Sequence, residues 1–133
     1  MSLKKKLDPI DPSFVELIPA SGSRRRGGGP VGEAWIVKAH GKRAGTAYIN
    51  IVEDLFRGKH ASFHIFLNKT NQGRKIGRRA YQLACTYSQY STIYAHMRKS
   101  NIASYKAAIY AGFVDATLPG EKQLVLAWSR HSI

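Results

Sequence analysis

The chain has 133 residues, a length that favours a single domain with its own hydrophobic core. Lys and Arg number 21 against 8 Asp and Glu, so the formal net charge is +13. No apolar run approaches the ~20 residues that span a bilayer, and the single cysteine, Cys85, excludes an internal disulfide and a cysteine-based metal cluster. The composition therefore predicts a cytoplasmic protein without membrane contact, whose ligand is a polyanion: nucleic acid, an acidic protein surface or a phosphate-rich cofactor.

Patterns typical of strands and turns fill the first half of the chain. A strand is predicted at residues 14–19, after a basic N-terminal segment, residues 1–13, that is expected to be flexible. The run ASGSRRRGGGPVG predicts a loop because glycines dominate it. Residues 33–40 and 44–55 flank a short glycine-containing turn and predict an antiparallel hairpin, and residues 60–67 predict a third strand of the same meander.

The apolar spacing changes to a helical period in the second half. The first helix is predicted to bury one stripe, namely Ile76, Ala80, Leu83, Ala84 and Tyr87. A strand at residues 91–97 follows, and then a second helix with a cap at Ser100 or Asn101 and a stop at Gly112. The predicted buried stripe of this second helix is Ile102, Tyr105 and Ile109.

Two short strands close the chain, so the order is β, long loop, β-β-β, α, β, α, β-β. This order predicts one α+β domain, residues 14–133, with a mostly antiparallel sheet on which both helices bury their apolar stripes.

The segment NQGRKIGRRA, residues 71–80, places glycines and cations where the first helix begins. A helix start leaves backbone N–H groups without partners at the positive end of the dipole, which is a ready anion site. Gly77 would let an anion approach the backbone closely.

The same segment resembles the pyrophosphate loop of the GNAT N-acetyltransferase superfamily. The signature of that family is Q/R-x-x-G-x-G/A, which Gln72, Ile76 and Gly77 match, while Lys75 replaces the first glycine. The run NIASYKAAIYAGF resembles the second signature of the family, an Asn that opens a helix ending in Gly-Phe. Its matching residues are Asn101, Ser104, Gly112 and Phe113. Together with the element order, the resemblance covers residues 33–129.

The resemblance implies a GNAT-like fold, with the usual first two helices shortened or absent, and an acetyltransferase that uses acetyl-CoA as co-substrate without a metal. The acyl-pantetheine arm would slide between the strands at residues 62–67 and 92–97. The residues that the resemblance assigns to the cofactor are the backbone of Phe66 and Leu67, the loop and first turn Gln72, Gly73, Arg74, Lys75, Ile76, Gly77 and Arg78, and Asn101 and Ser104 of the second helix.

The implied chemistry is direct attack of a neutral amine on the thioester. Many members place a Glu or His early in the strand before the loop and a Tyr in the last helix, but the matching positions here hold Ala61 and Ala108. Tyr105 is the candidate acid, with Tyr110 as a substitute, and His64 is the candidate base. Other candidate bases are His60, His96, Glu53 and Asp54, and water or bulk base is a further alternative.

The acceptor side is expected to be open, because the loop after the first strand replaces the two helices that usually wall it. Arg24, Arg25 and Arg26 would project there and favour an acidic or macromolecular amine acceptor, unless this loop is mobile and solvated. A second copy of the chain, as in a homodimer, is one way to close that side.

Two other functions fit the sequence. The charge of +13 and the scattered tyrosines are also compatible with a nucleic-acid-binding module. The alanines at positions 61 and 108 are compatible with a family member that binds acyl-CoA but has lost catalysis.

Overall fold

The computed structural model describes residues 8–130, which form a seven-stranded sheet and two α-helices. The strands are β1 (Val15–Ala20), β2 (Glu33–Ala39), β3 (Lys42–Asp54), β4 (Gly58–Leu67), β5 (Thr92–Met97), β6 (Val114–Asp115) and β7 (Leu124–Ser129), and the helices are α1 (Ile76–Tyr87) and α2 (Ile102–Tyr110). This architecture confirms the predicted α+β class and element order. Neither α-helix of the described residues is long and apolar enough to cross a membrane.

The sheet is interrupted between its two halves. Its order is β1-β2-β3-β4-β5-β7-β6, and neighbouring strands are antiparallel except for the parallel pair β4 and β5. These two strands pair at one position, Ser62 with Tyr94. Beyond that position β4 continues to Leu67 and β5 to Met97 without a further pair between them. The strands therefore diverge and leave a gap in the sheet.

Both helices lie on one face of the sheet. Phe63 of β4 packs against Tyr81 of α1, with ring centroids 4.6 Å apart, and Tyr81 in turn bonds Ser104 of α2. The predicted stripe of α1 is buried, except that Tyr87 is exposed. Cys85 lies beside this stripe and is 4% exposed, and burial raises the pKa of its thiol to about 12.

The predicted set of buried residues in α2 is wrong. Ile102, Tyr105 and Ile109 are 55%, 37% and 41% exposed, while Ala108 is fully buried. Helix α2 packs against α1 through its small residues, because alanine side chains allow two helices to approach closely. Apolar residues occupy more than one side of this helix, so their spacing does not identify the buried side.

Part of the predicted N-terminal segment, residues 1–7, lies outside the described residues. From residue 8 onward the chain is attached to the domain: Ile10 is buried, and its N–H donates to the Arg74 carbonyl at 2.9 Å. The hydrophobic core thus begins before the predicted boundary at residue 14.

The loop between β1 and β2 is fixed to the face of the sheet opposite the helices. The side-chain oxygen of Asn50 accepts from the Gly27 N–H at 2.8 Å, and its amide donates to the Arg25 carbonyl at 2.8 Å. Gly27 has a φ of 76°, and a Cβ there would lie 2.0 Å from the Glu33 carbonyl oxygen. No α-helix occupies this segment of the described chain, which confirms the expected absence of the two usual helices.

An ion pair joins the turn after β3 to the segment before β7. The Arg57 guanidinium donates to both carboxylate oxygens of Glu121 at 2.8 and 2.6 Å and to the Ala116 carbonyl at 2.7 Å. Both charged side chains are 7% exposed. The hydrogen bonds from Arg57 lower the pKa of Glu121 to about 2.

We expect Glu121→Gln to lower the free energy of unfolding by about 1–2 kcal/mol at neutral pH, because Arg57 loses a charged acceptor while remaining buried. The folded-state pKa lies below the ordinary value of 4.5, so the contribution is present above pH 4.5 and disappears as the pH falls to about 2. Urea denaturation across this pH range measures both effects. The exposed Glu53→Gln is the matched control, and equal stabilities of the two variants would contradict the prediction.

Candidate active site

A cavity of about 720 Å³ opens between the end of β4, the loop after it and the two helices. It lies on the helix-bearing side of the gap between β4 and β5. Its lining comprises Ile65, Leu67, Gln72, Gly73, Lys75, Ile76, Gly77, Arg78, Tyr81, Asn101, Ala103, Ser104, Lys106, Ala107 and Tyr110. The structure thereby brings together most of the residues that the sequence assigned to a cofactor.

The N-terminus of α1 faces this cavity without a cap. Lys75 occupies the N-cap position, and its side chain makes no capping hydrogen bond to the first turn. The leading N–H groups of a helix have no intrahelical acceptor, so those of Ile76, Gly77 and Arg78 remain available. The first turn also carries no acidic residue. An anion is therefore the ligand that this helix end would stabilise.

Lys75 stands where the signature has its first glycine, and its backbone is left-handed. Its φ and ψ are 61° and 21°. A residue with a Cβ adopts this conformation at an energetic cost that glycine does not incur.

Three cations line the cavity, and none of its lining residues from the described part of the chain carries a carboxylate. The cations are Lys75, Arg78 and Lys106. The guanidinium of Arg78 lies 4.3 Å from the centroid of the Tyr110 ring, and its Nε is buried without a hydrogen-bond partner among residues 8–130. A buried donor without an acceptor is costly, and an anionic group in the cavity would supply one.

The absence of a side chain at Gly77 leaves open space beside the start of α1. A Cβ at this position would lie 3.8 Å from the Cβ of Ala107 and 4.0 Å from Cδ1 of Leu67. Alanine would therefore fit in ordinary contact, whereas a larger side chain would extend into the cavity. Together with the unpartnered Arg78 donor, this space makes the site suitable for the pyrophosphate of CoA.

Hydrogen bonds position the polar groups around the cavity. The Gln72 amide donates to the Leu67 carbonyl at 3.1 Å and ties the loop to the end of β4. Asn101 caps α2 by accepting from the Ser104 N–H at 3.1 Å. The hydroxyls of Ser104 and Tyr81 are 2.8 Å apart, and burial raises the pKa of Tyr81 to about 12. Asn101 thus caps a helix and lines the cavity at the same time.

Two of the predicted cofactor residues are not directed to the cavity. The Arg74 side chain points to the N-terminal segment, where its Nε donates to the Asp8 carbonyl at 3.2 Å. The Phe66 carbonyl faces β3, because a Cβ on Gly45 would lie 1.9 Å from its oxygen. The side chain of Phe66 lies on the opposite face of the sheet and is exposed.

The predicted catalytic residues lie apart from each other. Tyr105 is partly exposed and is not among the residues that line the cavity, whereas Tyr110 is. His64 alternates with the cavity-lining Ile65, so it lies on the other face of β4. There it stacks on Tyr48 at 5.0 Å, and burial, followed by the charge of His96, lowers its pKa.

The alanines at the two usual catalytic positions are core residues. Ala61 is 4% exposed and Ala108 is fully buried. Neither has a polar group, so any acid or base for this site must come from elsewhere.

Sequence reasoning missed five residues of the cavity: Ile65, Tyr81, Ala103, Lys106 and Ala107. Tyr81 lies four residues after Gly77 and Ala107 three residues after Ser104, so helical spacing from assigned positions was a signal for these two. Ile65 lies two residues before Leu67, on the same face of β4, which is the corresponding signal in a strand.

Solved structures of GNAT acetyltransferases share this fold. RimJ from Mycobacterium smegmatis, in complex with CoA-disulfide, matches with a TM-score of 0.59 and 19% identity over 74% of this chain and 53% of its own. RimL, a ribosomal L7/L12 alpha-N-protein acetyltransferase in complex with CoA, matches with a TM-score of 0.59 and 18% identity over 75% of this chain and 63% of its own. A GNAT family acetyltransferase from Streptococcus agalactiae matches with a TM-score of 0.61 and 14% identity over 74% of this chain and 66% of its own.

These matches show that the chain has the GNAT fold, as the two signatures predicted. No family model and no curated protein sequence matches the chain. The matched region spans between about half and two thirds of the length of these acetyltransferases.

We expect Lys75→Gly to raise the free energy of unfolding by about 0.5–1 kcal/mol, because glycine adopts the φ of 61° without a Cβ penalty. Chemical denaturation measures the change. Lys75→Ala is the matched control, since it also removes the cation but keeps the Cβ. A Lys75→Gly variant no more stable than Lys75→Ala would contradict the prediction.

Proposed function

We propose that the chain is an N-acetyltransferase that transfers the acetyl group of acetyl-CoA to an amine by direct attack on the thioester. The observation that carries this proposal is the gap between β4 and β5, which opens beside an uncapped, cation-flanked helix N-terminus. The structural similarity to acetyltransferases solved with CoA supports the same assignment.

The residues of the cavity suit the parts of CoA. The pyrophosphate would accept hydrogen bonds from the N–H groups of residues 73–78, with Lys75 and Arg78 neutralising its charge. The pantetheine arm would lie in the gap between Leu67 and Asn101. A cavity lined by three cations and no carboxylate suits a compact phosphate cofactor, whereas a nucleic acid would need a basic stripe along a groove.

The edges of the gap supply groups for the reaction. Backbone N–H groups of β4 that face the gap have no partner on β5 beyond Ser62, so they are available to stabilise the oxyanion. The amine nitrogen forms a bond to the carbonyl carbon, the C–S bond breaks, and CoA leaves as a thiolate that takes up a proton. Tyr105 does not line the cavity, and Tyr110 stacks on Arg78 at the proposed pyrophosphate end, so water is the proposed source of this proton.

His64 is the proposed base that removes the amine proton. Its lowered pKa keeps the imidazole neutral at physiological pH, which is the form that accepts a proton. The nearby Ser62 hydroxyl, 3.3 Å from its Nε2, orients the ring. The amine would then approach from the sheet face opposite the helices.

A second, smaller cavity of about 300 Å³ on the loop side suits the acceptor. Its lining includes Arg26, Arg43 and Tyr48. Arg26 also lies 5.5 Å from the centroid of the Phe66 ring. Two arginines beside Tyr48, on which His64 stacks, favour an amine acceptor that carries a negative charge close to its amino group.

A second candidate function is acyl-CoA binding without catalysis. It rests on Ala61 and Ala108, which are buried and apolar where many relatives carry catalytic groups. The two functions share the cofactor site and differ in whether any amine releases free CoA.

Gly77→Asp tests the cofactor site. The aspartate would place a negative charge where the pyrophosphate binds, so we expect the acetyl-CoA Kd to rise about tenfold or more. A carboxylate in the first turn of a helix stabilises it by about 0.3–1 kcal/mol, so the variant stays folded. Isothermal titration measures binding, and Gly77→Ala is the control because it adds a Cβ without a clash and without a charge, so it separates the effect of the charge from that of the added Cβ. No binding by the unmodified chain, or equal binding by the aspartate variant, would refute the proposed site.

His64→Gln tests the base. We expect kcat to fall about 100-fold while the acetyl-CoA Kd is unchanged, because His64 acts on the amine and not on the cofactor. Because its pKa lies below 6.5, the unmodified chain should keep its rate down to that pH and lose it at lower pH. The release of CoA from acetyl-CoA, assayed with a panel of amines, measures kcat and its pH dependence. Unchanged kcat would exclude His64 as the base, and binding without release by any amine would favour the second function.

A further inference from the structure

Two histidines and an aspartate lie close together, outside the cavity of about 720 Å³ that is proposed to hold CoA (the CoA cavity). They are Asp54 at the end of β3, His60 on β4 and His96 on β5, and one potential ligand atom from each lies within 4.8 Å of the others. The Nε2 atoms of the two histidines are 2.9 Å apart, and Oδ2 of Asp54 is 3.8 Å from Nε2 of His60. None of the three lines the CoA cavity.

Hydrogen bonds hold two of the three side chains, His60 and Asp54, with a free ligand atom toward the cluster. Nδ1 of His60 donates to the Gly58 carbonyl at 2.8 Å, which leaves the lone pair of the neutral ring on Nε2. In the metal-free pair Nε2 of His96 donates to Nε2 of His60, so on metal binding the proton of His96 would move to its Nδ1. Oδ1 of Asp54 accepts from the N–H groups of Phe56 and Arg57 at 2.9 and 2.8 Å, so Oδ2 is the oxygen left to face the histidines. A carbonyl behind a ligating histidine and a held carboxylate are typical supports of a metal site.

The environment also suits a cation. His60 is 8% exposed, and the edge of its ring meets Tyr94 with centroids 5.1 Å apart. The positive charge of Arg57 is already matched, because its guanidinium is paired with Glu121 at 2.6 Å and stacks over Tyr94. The carboxylate of Asp54 therefore remains the charge that faces the two imidazoles.

We propose that Asp54, His60 and His96 bind a divalent first-row transition metal, Zn²⁺ in the first instance. Three protein ligands of nitrogen and oxygen leave a fourth position for water, which is a common arrangement for this ion. At Zn–N distances of about 2.1 Å, tetrahedral ligand atoms are separated by roughly 3.4 Å. The separations of 2.9 and 3.8 Å each differ from this value by about half an ångström or less, and the separation between Asp54 and His96 is within 4.8 Å. The ion would join β3, β4 and β5 on the face of the sheet opposite the helices.

Metal titration of the full chain, prepared without a polyhistidine tag, tests the site directly. Zn²⁺ should bind at one equivalent by isothermal titration and raise the thermal unfolding midpoint. Co²⁺ should give the visible absorption bands of a four- or five-coordinate ion. Acetyl-CoA binding is measured in parallel. The proposed metal site does not depend on the proposed function, so either proposal can be refuted while the other stands.

Three variants and a control identify the ligands. Asp54→Asn, His60→Gln and His96→Gln should each weaken Zn²⁺ binding by at least about tenfold. Asp54→Asn retains an oxygen that can accept from the turn, so it stays informative if a histidine variant fails to fold in the presence of a chelator. His40→Asn is the control, because His40 lies outside the cluster and asparagine tolerates its φ of 51°.

The expected result is one equivalent of metal that the control retains and the three variants lose. Absence of Zn²⁺ and Co²⁺ binding by the unmodified chain would overturn the proposal and leave the two histidines as a hydrogen-bonded pair. Metal binding that all three variants retain would overturn it as well.

Discussion

The site depends on one constraint, which is that β4 and β5 are each committed to a different neighbour. Strand β4 follows β3 in register down to the pair Gly45–Leu67, and β5 follows β7 over its whole length. Because sheets twist, two strands held by outer partners diverge once their own pairing stops, here after Ser62 and Tyr94. The gap exposes strand edges inside the protein, and unpaired backbone groups are costly there unless a ligand or water satisfies them. The gap is thus a consequence of pairing elsewhere in the sheet.

The gap separates two environments with different chemistry. On the helix side, free N–H groups and the cations Lys75, Arg78 and Lys106 produce a positive potential suited to phosphates. On the other side, His64 stacks on Tyr48, which lies against Gly27 of the loop between β1 and β2. A molecule that threads the gap would keep its charged end in the first environment and present its reactive end to the second.

The sequence was most informative where local rules decide the structure. The first helix follows from the apolar spacing that begins at Ile76, and the Asn101 cap and the Gly112 stop follow from capping chemistry. Two spaced signatures sufficed to identify the fold. The sequence was least informative where packing between distant elements determines the structure. The buried side of α2 depends on its contact with α1, and the orientation of Arg74 depends on a carbonyl 66 residues away in the chain, so neither follows from a local pattern. The meeting of Asp54, His60 and His96 likewise depends on the order of strands, which brings together residues with no common motif.

The inaccessibility of Cys85 has a practical consequence for biochemistry on this protein. It is the only cysteine in the sequence, it is 4% exposed, and its raised pKa of about 12 keeps it as the unreactive thiol at neutral pH. The folded polypeptide should therefore react very little with chromogenic thiol reagents. In an activity assay, the colour that such a reagent develops would measure released CoA with little background from the protein. The same shielding makes a mixed disulfide between protein and coenzyme unfavourable, in contrast to the RimL structure, in which CoA is joined to a cysteine by a disulfide.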